Sequence, residues 1–543
     1  MLDFETSYRA MASRDSRFDG TFYVAVTTTG IYCRPVCGSR TPKPENVRFF
    51  RIAAAAEAAG FRACRRCRPE VHPSSPEWNV RGDLVARALR LIARGAVDEI
   101  GVAGVAAQLA VSERHLHRQL VAEVGVGPLA LALNRRNQVA RLLIESSSLP
   151  LLDVAFAAGY SSIRQFNDGF RAAFGCSPRE LRRTGKTRGS GQAAAPSGTG
   201  ADGAQGAQAE PLVLRLRYRP PLAAAALLSW FRDMALPGVE DVGDRRLHRT
   251  LRLPRGGGRA ELDFTGAGSD RDAKHQQVTV RLWLSDLRDV TAAVRRCRDL
   301  LDLDSDPAAV TEALGPDPRL GPLVRATPGL RVPGCADGFE LAVRLLTEQY
   351  LPPDQARQLC GWLVARYGEP LTAPDGVPAL LFPSPAMLAD AGLAGALGET
   401  AARTPADANA GWRAAGPGEL RAGASAGVRA AVCTLAGAVA DEKLSLERDA
   451  DREAAVAALL GLPGVEPWTV QRIAMHGLGD PDAFDAGDPA VHAAIRTLPG
   501  ALGSLAGLPD LPRDLDGSAH RWRPWRSYAV MYLSSAGRLS ARH

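Results

Sequence analysis

Hydrophobic residues change their spacing along this chain, and the changes divide it into blocks. Over residues 81–184, Val105, Leu109, Leu116 and Leu120 recur at helical intervals, and Ser112 is placed to cap the second of two short helices. The pattern then repeats: Leu152–Ser162 is followed by Gln165–Phe170, with Phe166, Phe170 and Phe174 forming one apolar face. Gly159 suits the left-handed turn between those helices. Two helix-turn-helix units are therefore expected. Further on, Leu212–Tyr218 and Val278–Leu284 alternate with period two, as half-buried strands do. Helices are expected at Ala223–Ala235 and Val290–Leu301, which makes residues 212–325 a small α+β domain. From residue 326 to 543 the pattern is helical. Residues 185–211 are rich in Gly, Ala, Ser, Gln and Pro, lack an apolar period, and read as a flexible linker.

A chain of 543 residues is too long for one core, and 46% hydrophobic with 23% charged residues is an ordinary globular balance. No apolar run approaches bilayer length, so a cytoplasmic protein without membrane contact is expected. The net charge of +7 is uneven: residues 1–190 carry 28 Lys and Arg against 17 Asp and Glu, leaving a net −4 for the remainder. The front third carries the field that attracts polyanions.

That field surrounds four cysteines. Cys33 and Cys37 form a C-x3-C pair, and Cys64 and Cys67 form a C-x2-C pair. Two such pairs supply four soft ligands suited to tetrahedral Zn2+. Arg34, Arg40, Arg65, Arg66 and Arg68 crowd around them, so a metal-held thiolate would face nucleic acid, although a purely structural zinc knuckle uses the same ligands. Cys176, Cys297, Cys335, Cys360 and Cys433 are scattered singly, which suits reduced thiols.

The residues around these cysteines carry a family resemblance. Asp15–Gly20, Thr28–Pro35, Pro44–Phe50 and Ala58–Pro69 resemble the N-terminal domain of Ada-type methyl-phosphotriester repair proteins, over residues 1–76. The resemblance implies that Cys33 is both zinc ligand and methyl acceptor, while Cys37, Cys64 and Cys67 hold the metal. The doubled helix-turn-helix resembles the AraC-type DNA-binding domain. In such a motif the second helix enters the major groove, which nominates Arg114, His115 and Arg118, then Arg164, Gln165 and Asn167, as DNA contacts; each also reads as a solvated helix face. Arg34 and Arg65 are DNA candidates beside the cysteines.

In the last block, Leu462-Pro463-Gly464-Val465-Glu466-Pro467-Trp468 places a Pro-Gly turn between two helices, a hairpin that can grip a DNA phosphate, often with a bridging metal ion. With Phe484–Pro489 and Arg523–Ala529 it resembles the helix-hairpin-helix DNA glycosylases, specifically the AlkA type (3-methyladenine DNA glycosylase II), and the preceding α+β domain fits that family. Asp488 reads locally as a helix N-cap before proline; the resemblance makes it the carboxylate that stabilises the sugar cation as the base departs. Trp468 and Trp525 are candidate π-faces for a flipped base, or core residues, and Tyr350 falls at the wedge position. Trp468 stands where lyases of the superfamily carry a lysine, so base excision without strand cleavage is expected. Glu466 replaces a family glycine and Arg472 a family aromatic.

The expected architecture is multidomain and mainly α: a zinc-bound α+β domain, a double helix-turn-helix, a small α+β domain and a helix-hairpin-helix glycosylase domain. The Pro-Cys-His-Arg motif of a second methyl-accepting domain is absent from the sequence. The expected function is an alkylation-damage response protein: methylation of Cys33 switches on transcription through promoter DNA and RNA polymerase, while the back half excises alkylated purines. The opposing expectation is a zinc-dependent regulator with an inactive glycosylase-like tail.

Overall fold

The computed structural model describes residues 3–14, 18, 22–37, 39–50, 55–56, 59–64, 84–85, 88–89, 91–92, 95–124, 126–146, 149–188, 211–265, 276–371, 379–390, 422–448, 450–488, 491–492 and 519–540. The chain opens with α1 (Phe4–Ser13), capped by Asp3, whose carboxylate accepts from the Thr6 N–H. Strands β1 (Tyr23–Val26), β2 (Ile31–Cys33), β3 (Val47–Phe50) and β4 (Arg62–Ala63) form a four-stranded sheet in the order β3-β1-β2-β4, with β2 and β4 parallel.

The double helix-turn-helix comprises α2 (Ala96–Gln108), α3 (Glu113–Val124), α4 (Pro128–Ser146), α5 (Leu151–Ala157), α6 (Ile163–Phe174) and α7 (Pro178–Arg188). The expected turn chemistry is present: Gly159 has φ 92°, and the Ser112 hydroxyl accepts from the His115 N–H at 3.2 Å. Gly101 breaks α2 with φ 70°, and α7 runs to Arg188, into the expected linker. Phe166 and Phe170 are fully buried. The long α4 joins the two units, because Asp98 of α2 accepts from both Arg135 (3.0 Å) and Arg136 (2.7 Å).

Next come β5 (Leu212–Arg217), α8 (Ala224–Met234), β6 (Glu240–Val242), β7 (Arg246–Leu253), β8 (Gly256–Asp263), β9 (Gln277–Leu284) and α9 (Val290–Leu300). The five strands pair antiparallel throughout in the order β5-β9-β8-β7-β6. β5 alternates buried and exposed residues, as its spacing requires. Three strands that the periodicity did not single out, β6 to β8, complete this sheet.

The last block contains α10 (Pro307–Leu314), α11 (Gly321–Ala326), α12 (Gly338–Tyr350), α13 (Pro353–Tyr367), the small ladder β10 (Glu369–Leu371) with β11 (Ala379–Leu381), α14 (Pro385–Asp390), α15 (Ala422–Ala440), α16 (Arg452–Leu460), α17 (Pro467–His476) and α18 (Arg526–Ser540). Helix α12 is buried on nearly all sides and serves as the axis of this block. The modules are not beads on a string. Met11, Phe18, Phe22 and Val24 share one apolar core with Leu320, Phe339 and Trp525. Leu143, Phe166 and Phe170 share another with Leu214, Phe231 and Val280. No helix among the described residues is long and apolar enough to cross a membrane.

Candidate metal centre and hairpin site

The cysteine cluster is assembled by strand pairing. A tight turn at Gly30, with φ 64°, folds β2 back on β1 and sets Cys33 opposite Val24. The chain turns again so that the Cys37 N–H donates to the Arg34 carbonyl at 3.1 Å. Parallel pairing of β4 with β2 delivers Cys64, whose N–H donates to the Tyr32 carbonyl at 3.0 Å. The three sulfurs lie within 4.8 Å of one another and all three residues are buried. Tetrahedral zinc with Zn–S bonds of ~2.3 Å places ligand sulfurs about 3.8 Å apart. Buried soft donors converging this closely fit Zn2+, and zinc is the cofactor of this domain. Cys67, the expected fourth ligand, and Arg65 lie outside the described residues.

Residues that the motif did not nominate brace the cluster. The Ser39 hydroxyl donates to Cys37 Sγ at 3.3 Å, and Arg14 donates to the Ser39 carbonyl at 2.6 Å. Tyr8 donates to the Pro42 carbonyl at 2.8 Å, so α1 holds the ligand loop from behind. Such contacts depend on chain folding over 25 and 34 residues and leave no local signal.

In the helix-turn-helix units the nominated side chains line up on outer faces. Arg114 and Arg118 are exposed on α3, with Arg118 against His115 Nδ1 at 3.1 Å. Arg164, Gln165 and Asn167 are exposed on α6, where Gln165 Oε1 accepts from the Ser161 hydroxyl at 2.8 Å and Arg164 lies 3.9 Å from Asp168.

The hairpin lies between α16 and α17. Gly464 has φ 79°, and a Cβ there would lie 2.7 Å from Tyr350 Oη. The positive φ favours glycine, and a Cβ would also press on the Tyr350 hydroxyl. Gln349 laces the turn: its Nε2 donates to the Gly464 carbonyl at 2.8 Å. Its Oε1 accepts from the Glu466 N–H (3.0 Å) and the Thr469 hydroxyl (2.8 Å). The Tyr350 hydroxyl also donates to the Gly464 carbonyl, at 2.6 Å. Tyr350, expected at the wedge position, is tied to the hairpin through its hydroxyl. The Gly464 carbonyl, with both lone pairs used, is not available to a bridging metal in this arrangement.

Trp468 is half-buried on α17. Arg472, one turn later, has its guanidinium carbon 5.9 Å from the Trp468 ring centroid and pairs with Glu348 at 3.0 Å. Glu466 is exposed and directs only its N–H inward, to Gln349. Asp488 is 5% exposed; its N–H donates to the Asp485 carbonyl, and its own carbonyl accepts from the His492 N–H at 3.1 Å. Its carbonyl thus takes the bond that the residue capping a helix accepts. Its loop is moored to α17, since the Phe484 N–H donates to Gln471 Oε1 at 3.3 Å. Trp525 is wholly buried, edge-on to Phe18 (5.2 Å) and Tyr528 (5.7 Å), within the apolar core.

Comparison with known proteins finds three family models along the chain. Residues 6–70 match the metal binding domain of Ada, 105–184 a helix-turn-helix domain, and 213–337 the AlkA N-terminal domain. A Mycobacterium tuberculosis protein named "Probable bifunctional transcriptional activator/DNA repair enzyme AlkA" is 45% identical over 531 residues, covering 98% of this chain and 96% of that one. The chain belongs to this bifunctional activator/repair family. Two Escherichia coli proteins each match one part of the family architecture. Bifunctional transcriptional activator/DNA repair enzyme Ada is 32% identical over 34% of this chain and 51% of its own length. DNA-3-methyladenine glycosylase 2 is 30% identical over 59% of this chain and 95% of its own length.

Proposed function

We propose that this chain senses DNA methylation damage through Cys33, converts it into promoter binding, and removes damaged bases with its back half. The convergence of Cys33, Cys37 and Cys64 in a buried cluster at the basic end of the protein carries the first part. In the step proposed, Cys33 Sγ attacks the methyl carbon of a phosphotriester. The S–C bond forms, the O–CH3 bond breaks, and the electron pair stays on oxygen to leave a phosphodiester anion. The thioether product is not regenerated. Zinc, when bound, keeps the cysteine sulfurs deprotonated at neutral pH. With Cys67 as fourth ligand, methylation takes the centre from −2 to −1. Loss of one negative charge at a DNA-facing surface strengthens DNA binding.

The exposed residues of α3 and α6 then read the promoter, with RNA polymerase as the downstream partner of activation. In the repair half, Asp488 stabilises the positive charge developing on the sugar as an extruded base leaves. Its burial beside a loop moored to the hairpin helix supports this role. Trp468 remains the candidate stacking face.

The deciding experiment follows methyl transfer and base release together. The intact chain is expected to gain one methyl on Cys33 from a methylphosphotriester duplex and to release base from methylated DNA. Cys33→Ala should lose the first activity and Asp488→Asn the second. Methyl transfer with no base release would establish instead a zinc-dependent regulator with an inactive tail. That second reading draws on the Gly464 carbonyl being fully occupied by Gln349 and Tyr350.

A further inference from the structure

We propose that Arg472 biases base stacking at Trp468 against cationic lesions and toward neutral damaged bases that accept a hydrogen bond; this rests on the glycosylase reading above. Trp468 and Arg472 are four residues apart on α17 and so share one face of the helix. An indole face attracts cations, and a purine methylated at N7 or N3 is a cation in DNA. Here the protein's own guanidinium already stands 5.9 Å from that ring. Glu348 of α12 holds it there at 3.0 Å, and the two side chains are only 15% and 22% exposed. A pair this sheltered keeps its geometry better than a surface ion pair. A cationic base entering against Trp468 therefore meets a guanidinium already in place and cannot take its site without breaking the pair.

The same charge favours the opposite substrate class. When the N-glycosidic bond breaks, its electron pair passes to the base nitrogen and water ultimately adds to the sugar carbon. A cationic base departs neutral and gains nothing from a nearby donor. A neutral base departs with negative charge, which a guanidinium donor to a ring nitrogen or carbonyl oxygen stabilises. Asp488 serves the sugar and Arg472 the leaving base. The two demands are separable.

The test compares release of hypoxanthine (neutral, with a carbonyl acceptor) and 7-methylguanine (cationic) from otherwise identical duplexes. The full chain is compared with its Arg472→Gln, Arg472→Tyr and Glu348→Gln variants. Removing the guanidinium is expected to lower the hypoxanthine to 7-methylguanine rate ratio by about tenfold or more. Glu348→Gln, which leaves the cation without its counter-charge, is expected to hold the ratio at or above its original value. An unchanged ratio in both Arg472 variants, including a parallel fall in both rates, overturns the proposal and reduces Arg472 to a structural residue. Release of neither base by the unmodified chain, with Cys33 still accepting methyl groups, instead overturns the glycosylase reading itself.

Discussion

Gly464 and Gln349 show how much of the hairpin depends on single residues. Gly464→Ala must place a Cβ 2.7 Å from Tyr350 Oη while holding φ at 79°, a region that costs an L-residue roughly 1 kcal/mol or more before any clash. The expected outcome is a fall in stability of about 2 kcal/mol by denaturant titration, with weaker binding of undamaged duplex. Gln349→Leu removes one donor and one acceptor that satisfy three partners around the turn. A loss of about 2–3 kcal/mol is expected, because the Glu466 N–H and Thr469 hydroxyl lose their protein acceptor. Base release should fall with it, while methyl transfer to Cys33 stays intact. Equal loss of both activities would mean that the hairpin supports the whole molecule rather than the repair half. The Pro-Gly turn was legible in the sequence because φ > 0 demands glycine. Gln349 was not, since it lies over a hundred residues upstream and nothing local marks a glutamine that laces a turn.

At the scale of elements, the sheet and the helical block are joined by a buried set of charges. Arg249 of β7 bonds Glu240 of β6 and donates to Glu340 of α12 at 2.7 Å, while Arg344 of α12 bonds both Glu240 and Glu340. Two cations face two anions, all four buried. Burial pushes the Glu340 carboxyl up, but Arg249 and Arg344 outweigh it and hold the group below its ordinary range. A depressed folded value means that the stabilisation is fully present above the unfolded carboxylate value of ~4.3 and is lost as pH falls through the folded value. Denaturant midpoints of the intact chain should therefore be flat near neutrality and drop in acid. Glu340→Gln should cost about 3–5 kcal/mol at pH 7, because it strands buried arginine charge, and should flatten part of the acid slope. An unchanged slope would place the acid sensitivity elsewhere. Of these elements, β5, β9, α8 and α9 were readable from period and length. β6 to β8 were not: β8 begins Gly256-Gly257-Gly258, and buried Arg249, Glu261 and Asp263 break the apolar alternation. Their polar residues are satisfied across strands and across the module boundary, which a one-dimensional pattern does not register.

For the whole molecule, the linker composition suggests two independent halves, whereas the packing joins them. Val24, the cross-strand partner of Cys33, belongs to the apolar core that also contains Phe18 and Trp525. Arg9 of α1 reaches the Arg521 carbonyl, and α1 lies against α10. On the other side, Phe166 and Phe170 pack into the core of the five-stranded sheet. Arg255 there bonds Glu99 of α2 as well as Asp289, at 3.3 Å for the latter. The ion pairs alone would give contacts of ~0–1 kcal/mol each that salt weakens, but shared apolar cores hold irrespective of salt. Cutting the chain at a protease site placed among residues 190–210 should thus leave the two fragments together on gel filtration, in low salt and in high. Phe18→Ala combined with Phe170→Ala should separate them, since each substitution removes a buried aromatic worth about 3–5 kcal/mol of packing. Fragments that part at once from the unmodified protein would show that the linker is the connection between sensor and repair halves. Fragments that stay together would mean that a methyl group arriving on Cys33 lands on a sheet whose opposite strand is already seated in the repair half.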